Sequence, residues 1–332
     1  MIHIHGIEPY QTSVTHDNLY LKKFCSRNNY QLSSPSECDW LISVWWNTTK
    51  INPQKKYIIY ISNFIKLENK KFCSMIESMN KINPNNIFWI CPSIKQKREL
   101  TNFNLNTTFC PFYIHDCYYD KDFKINKDVF DEKFLFYNDK VIDRKTLSKI
   151  LSENLIAGSF QRDTEGANLT KPKWQKGPEN IISLLKNSKN KKDTVLLLCG
   201  SRRHYIINEC KKHNINYLYV CNNKPKGDDI AYNMFSQEET YFMYKNINLY
   251  ICGSVLEGGP KSIIESAHLN IPIFSHDIGL ASDYIQKENI YNSFESDAFD
   301  SFISNMDSFS FNTDFPSLPY KDKTLSSIIN EN

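Results

Sequence analysis

Short apolar runs alternate with polar stretches of helical period along most of the chain. In the first third, apolar runs fall at 1–5, 40–46, 57–62 and 87–91, and the stretches at 18–29 and 68–81 suit helices. Apolar runs this short read as strands, and strands alternating with helices predict a parallel sheet joined by helical crossovers. A further run, 108–114, contains Pro111, which cannot donate to a ladder. It is expected at a sheet edge or as the exit from a domain. Between 116 and 153 the period fades into Asp, Lys and aromatic residues, which reads as a linker with a helix near 144–151. A second series then follows, with strands predicted at 155–159, 194–199, 217–220, 249–252 and 271–275. Its helices are predicted at 178–187, 204–213, 237–245 and 261–269. Gly177-Pro178 suits a helix start, because proline is pre-set for the first helical position. After 293 the chain turns to Ser, Phe and Asp with weak periodicity, and no repeat of 20–50 residues is found.

The pattern implies four segments: an N-terminal domain over 1–115, short for a full Rossmann unit; a linker over 116–153; a second α/β domain over 154–290; and a helical tail, 291–332, expected to pack back on the first domain. A length of 332 residues is enough for two such domains. The net charge of +3 comes without a compact basic tract, which argues against a nucleic-acid partner. None of the ten cysteines forms a C-x-x-C pair, so zinc and thioredoxin-like chemistry have no support. Several, such as Cys91, Cys199 and Cys252, sit in strand-like runs, where a thiol acts as a small hydrophobe. The N-terminus, MIHIHG, lacks the pattern of a secretory signal, and no apolar run reaches membrane-spanning length. A cytoplasmic protein is expected, and peripheral membrane contact stays compatible with the sequence.

Gly6 alone of the ten glycines lies before residue 158. Glycine permits tight turns and close backbone approach to a ligand, so a phosphate-bearing ligand is expected on the second domain. The segment 248–285 is the most informative. A strand ends near Cys252, a loop follows, and Gly258-Gly259-Pro260 leads into a helix containing Glu265. The first N–H groups of a helix lack internal partners and sit at its positive end, which suits an anion. Glu257 and Glu265 would repel a phosphate but can accept hydrogen bonds from sugar hydroxyls. By physics alone, a surface charge at Glu257 and a solvated Glu265 are equally compatible. A nucleoside-triphosphatase loop is rejected, because Pro260 interrupts the required Gly-Lys-Ser succession, and no G-x-G-x-x-G fingerprint is present.

The run Glu257-Gly258-Gly259-Pro260-Lys261-Ser262-Ile263-Ile264-Glu265, followed by Ile271-Pro272-Ile273 and Asp277-Ile278-Gly279, resembles the donor signature of family 4 glycosyltransferases. Two further stretches are similar to the same family in the same order: GSFQRDTEG at 158–166 with Gln175-Lys176-Gly177-Pro178, and LLLCGSRR at 196–203. The resemblance implies a GT-B fold, two Rossmann-like domains facing a central cleft, with a nucleotide-sugar donor mainly on the second. It implies that Arg162 and Lys176 neutralise the donor diphosphate, that Glu257 lies by the transferred sugar and that Glu265 holds the ribose. It further implies that Gly258, Gly259, Pro260, Lys261, Ser262 and Gly200 form the rest of the donor site. In this chain Arg162 stands slightly later after the strand than the family pattern has it, and 163–173 reads like an insertion.

The family usually retains anomeric configuration, and its resemblance implies no metal and no cofactor beyond the donor as co-substrate. A histidine of the first domain often supports the sugar, and His5, at a strand end before Gly6, is the favoured candidate over His3, His16 and His115. Asp120-Lys121-Asp122 looks like a metal-binding D-x-D but lies in a charged stretch and is read as solvated. Trp40, Trp45, Trp46 and Trp89 could stack on sugars, although aromatics in strands are usually core. The expected activity is transfer of a hexose to an acceptor hydroxyl. The acceptor, whether glycan, lipid-linked or protein, is not named by any motif. A non-catalytic nucleotide-sugar binding or scaffold module, and a GT-B nucleotide-sugar epimerase, are the alternatives.

Overall fold

The computed structural model describes residues 1–6, 13–44, 48–61, 70–120, 122–125, 128–165, 168–312 and 316–332. Trp45, Trp46, Lys121 and Gly166 therefore lie outside the described residues. The chain divides into two compact units.

The first unit is a parallel sheet in the order β1-β2-β3-β4-β5. Its elements are β1 (Ile2–His5), α1 (Ser13–Arg27), β2 (Trp40–Ser43), β3 (Lys56–Tyr60), α2 (Lys70–Ile82), β4 (Ile87–Cys91), α3 (Ile94–Thr101) and β5 (Thr107–Phe109). The sheet stops short of Pro111, as a residue without an N–H requires. Tyr57, Ile59, Trp89 and Cys91 meet Ile76 and Leu100 in its core. Trp40 and Trp89 are buried there, which removes both as sugar-stacking platforms.

Leu256–Lys261 and the C-terminal helix Leu318–Glu331 also belong to this unit. Asp322 of that helix accepts from the Tyr20 hydroxyl at 2.7 Å and from Arg27 Nε at 3.0 Å. Lys321 beside it is buried, its ammonium bonded to the Phe112 carbonyl, and burial pushes its pKa down to about 7. The unfolded chain thus binds a proton on Lys321 between about pH 7 and the ordinary lysine range, where the native state does not. Stability should rise from pH 7 to pH 9 and be lost on the way down. Below pH 7 both states hold the proton and this group adds no further slope. Melting temperatures recorded from pH 6 to pH 9 should show the rise, and Lys321→Met should flatten it.

The second unit begins earlier than its sequence pattern suggests. The stretch 116–153, expected as a linker, folds into it. Its β6 (Phe134–Tyr137) and β7 (Lys140–Val141) form a hairpin, followed by α4 (Arg144–Glu153). Asn138 and Asp139 both have positive φ, the backbone of a two-residue hairpin turn that these residue types tolerate. The unit continues through β8 (Leu155–Ser159), β9 (Thr164–Glu165), β10 (Asn168–Pro172), α5 (Pro178–Lys186), β11 (Thr194–Cys199), α6 (His204–His213), β12 (Tyr217–Cys221), α7 (Gln237–Tyr244), β13 (Leu249–Cys252), α8 (Lys261–His268), β14 (Ile273–Ser275), α9 (Ala281–Tyr284) and α10 (Ser296–Ser304). The segment 291–332 is accordingly divided. Its helix α10 packs on α5 in this unit, and only the C-terminal helix joins the first.

The sheet order is β14-β13-β8-β11-β12-β6-β7. From β14 to β12 neighbouring strands are parallel, and β6 closes antiparallel on β12. The parallel strands start at β8 and run one way through β11 and β12, and the chain then returns to lay β13 and β14 on the other side. The direction reverses between β8 and β13, and ligands of open α/β sheets bind outside the carboxyl ends of strands at such a switch. All ten cysteines are buried thiols, consistent with small core residues.

Candidate functional site

β8 and β13 pair only through Ala157, Gly158, Leu249 and Tyr250 before their carboxyl ends part. The loops that leave these ends are tied by side chains. Ser254 Oγ donates to Gln161 Oε1 at 2.8 Å, and the Tyr250 hydroxyl accepts from the Phe160 N–H at 3.1 Å.

A third segment locks onto them. The turn Trp174–Lys176 ends at Gly177, which has φ +53° and opens α5. A β-carbon on Gly177 would fall 2.1 Å from the Gly253 carbonyl oxygen, and one on Gly253 would fall 2.6 Å from the Gly177 carbonyl oxygen. Only two glycines allow this approach. Val255 N–H donates to the Gln175 carbonyl at 2.9 Å, and Asn180 Nδ2 to the Gly253 carbonyl at 2.8 Å. The backbone that carries Lys176 is therefore fixed to the end of β13, at the switch point. Lys176 itself is half-buried, and Trp174, two residues before it, is 51% exposed. The sequence reading passed over Trp174, although a Trp beside the Lys-Gly-Pro turn was a legible signal.

Glu265 is 7% exposed, so the solvated alternative is excluded. Its Oε2 accepts from the Tyr244 hydroxyl of α7 at 2.9 Å. Burial and then the Glu265 charge push the Tyr244 hydroxyl far above its ordinary pKa, which keeps its proton available to the carboxylate. Ser262, in the first turn of α8, is buried, and its Oγ has no hydrogen-bond partner among the described residues. Gly200 follows β11 with φ +80°. Arg162 is half-buried just past β8. Its neighbour Asp163 is buried and accepts the Ile206 N–H at 2.7 Å, capping α6, and desolvation raises its pKa to about 7. The segment read as an insertion thus does structural work: β9 and β10 pair antiparallel within it.

The remaining candidates lie in the first unit. Glu257 is half-buried, and Gly258, Gly259 and Pro260 are buried. Lys261 Nζ forms an ion pair with Asp17 at 2.8 Å, both side chains being largely buried, so its charge is already engaged by a carboxylate. His5 Nε2 bonds to Thr48 Oγ1 at 2.9 Å, and burial, then His3, lower its pKa. Asp120 accepts the Asp122 N–H at 2.9 Å in a turn, and no group of three or more metal-type side chains occurs among the described residues. No described helix is long and apolar enough to cross a membrane.

The family model for glycosyl transferases group 1 matches residues 170–310, a span that holds Lys176, Glu257 and Glu265 but neither Arg162 nor His5. Among solved structures, the chain is similar to Anabaena HepE in complex with UDP-glucose, with a TM-score of 0.59 at 9% identity, covering 99% of this chain and 96% of that one. It is also similar to the UDP-forming α,α-trehalose-phosphate synthase of Burkholderia vietnamiensis (TM-score 0.54, 8% identity, 96% and 73% covered). A third is the sucrose-phosphate synthase of Thermosynechococcus elongatus (TM-score 0.52, 13% identity, 98% and 74% covered). At such identities these likenesses speak for the fold. No curated protein sequence matches the chain. Fold and family match agree: the chain has the GT-B fold of these structures, and its residues 170–310 match the glycosyl transferases group 1 family.

Proposed function

We propose that the protein transfers a hexose from a nucleotide-diphosphate sugar to an acceptor hydroxyl, with retention of anomeric configuration and without a metal. The observation that carries this is the turn Gln175–Gly177 fastened to Gly253–Val255 where the strand order reverses. That anchoring gives Lys176 a rigid base from which a point charge can meet a diphosphate. Ser262 supports the same reading. Leaving a buried hydroxyl unpaired costs roughly 1–3 kcal/mol, and an oxyanion or hydroxyl at the first turn of α8 would offset it. Glu265 accepts the ribose hydroxyls with its carboxylate oriented by Tyr244. The first unit supplies acceptor contacts, with Glu257 and His5 on the side of the transferred sugar, and Arg162 joins Lys176 at the diphosphate.

HepE binds UDP-glucose, so UDP-sugars are the first donors to test. A thermal-shift screen over nucleotides and their sugars should give a dose-dependent rise with one base, because ligand binding to the native state alone stabilises it. Glu265→Ala should weaken that nucleotide at least tenfold by calorimetry in a protein that still melts cooperatively. A variant binding with unchanged affinity would remove Glu265 from the donor site. Nucleotide release that depends on an added acceptor identifies transfer, whereas conversion of donor alone identifies epimerisation.

A further inference from the structure

The second unit contains a cavity of about 350 Å³ between α6 and the strands β12 and β6, and none of the donor-site candidates lines it. Its origin is topological. A parallel strand arrives by a crossover that brings a helix to cover it, but β6 and β7 join through a two-residue turn and bring none. Helix α6 covers β11 and β12, and the sheet runs on beyond it.

One wall is the helix face that carries His204, Ile207 and Lys211, residues at helical spacing. The facing wall is aromatic: Tyr217 and Tyr219 alternate onto one face of β12, and the Phe136 ring stacks on Tyr219 with centroids 6.5 Å apart. Two features separate this space from a packing gap. Arg203 lines it while only 1% exposed. Its Nη2 reaches the Ser159 carbonyl at 2.9 Å, but its Nε has no hydrogen-bond partner among the described residues. Both ring nitrogens of His204 are likewise buried and unpartnered. Unmet buried polar groups are costly, most of all on a charged group, and here the two residues that carry them line one cavity. The buried Asp163 carboxylate offsets the Arg203 charge, and Asp139 is paired to Lys211 at 2.8 Å, so Lys224 adds a cation at the rim.

We infer that this cavity is a second ligand site, separate from the donor site, for a small aromatic carboxylate: the flat ring lies against Phe136 and Tyr219, and the carboxylate accepts from Arg203 Nε and His204. An apolar wall with a few convergent polar groups is the usual construction of a small-molecule site. A planar anion satisfies the orphaned donors and the aromatic wall together, which water does for the donors alone. The inference does not depend on the identity of the sugar donor.

The test uses 1-naphthoate and its neutral analogue 1-naphthalenemethanol with the full chain, read by calorimetry and ligand-observed NMR. The acid should bind in a one-to-one ratio, at least tenfold tighter than the alcohol. Ile207→Trp, which fills the cavity, should lose at least tenfold in affinity for the acid. Lys224→Glu, on the exposed rim, should weaken it several-fold even if the Trp variant does not fold. Glu265→Ala should leave naphthoate affinity within twofold. No binding at millimolar acid, equal affinity for acid and alcohol, unchanged affinity in Lys224→Glu, or loss of binding in Glu265→Ala would each overturn the assignment.

Discussion

Gly177→Ala should cost stability and activity together. Two effects add. The residue sits at φ +53°, where a side chain costs roughly 1–2 kcal/mol of backbone strain. The added methyl also meets the Gly253 carbonyl at 2.1 Å, and that contact cannot be relieved by turning a side chain, because both partners are backbone. Forcing atoms into a packed site adds about 1–3 kcal/mol, so a total of roughly 2–5 kcal/mol is expected. The relief available is for the turn to lift off β13, which breaks the bond from Val255 to Gln175 and moves Lys176. Gly227→Ala is the control. Gly227 has φ +62° but nothing within 4 Å of a built β-carbon, so it isolates strain from collision. Urea midpoints should fall well over twice as far for Gly177→Ala as for Gly227→Ala, and only the former should lose most of its turnover. Equal midpoints would mean that the turn is not held as described.

The same pair of glycines shows where the sequence was legible and where it was not. Gly177-Pro178 announced a helix start, and the helix begins at Pro178. That Gly177 would touch Gly253 could not be read, because the contact joins residues far apart in the chain and depends on strand order. The strands of the second series were plain because each is buried on both faces and reads as an apolar run, as Thr194–Cys199 does. The hairpin β6–β7 was missed for the opposite reason. Phe134 and Val141 are exposed, its second strand has two residues, and its Asn138-Asp139 turn lacks the glycine that usually signals such a turn. Missing it turned a piece of the sheet into a linker. At the site, the Glu257 to Glu265 spacing was visible, but the burial of Glu265 was not. A carboxylate in a helix reads as solvated unless its partner is known, and Tyr244 comes from a different helix. Lys261 shows the same limit from the other side, since its partner Asp17 lies on α1.

Lys176→Ala should lower turnover by on the order of 10²-fold, the size of effect seen when a fixed electrostatic stabiliser is removed. As the glycosidic bond breaks, negative charge accumulates on the departing diphosphate. A cation fixed beside it gains more attraction in the transition state than with the intact donor. The loss should therefore appear chiefly in kcat, with a smaller change in KM for the donor. Rigidity is what makes the effect this large. Lys176 stands on a turn whose N–H bonds to Lys173 at 2.8 Å and whose next residue is wedged against β13, so the backbone that carries its side chain is held in place. Lys176→Arg keeps the charge but replaces a compact ammonium with a planar fork, and should recover part of the rate. Arg162→Ala should cost less than Lys176→Ala, because Arg162 stands before the group 1 match begins. If Lys176→Ala folds as the parent does, by circular dichroism and melting temperature, and still turns over within threefold of it, the diphosphate does not lie at this turn. If kcat stays and only KM rises, Lys176 holds the donor without assisting its cleavage.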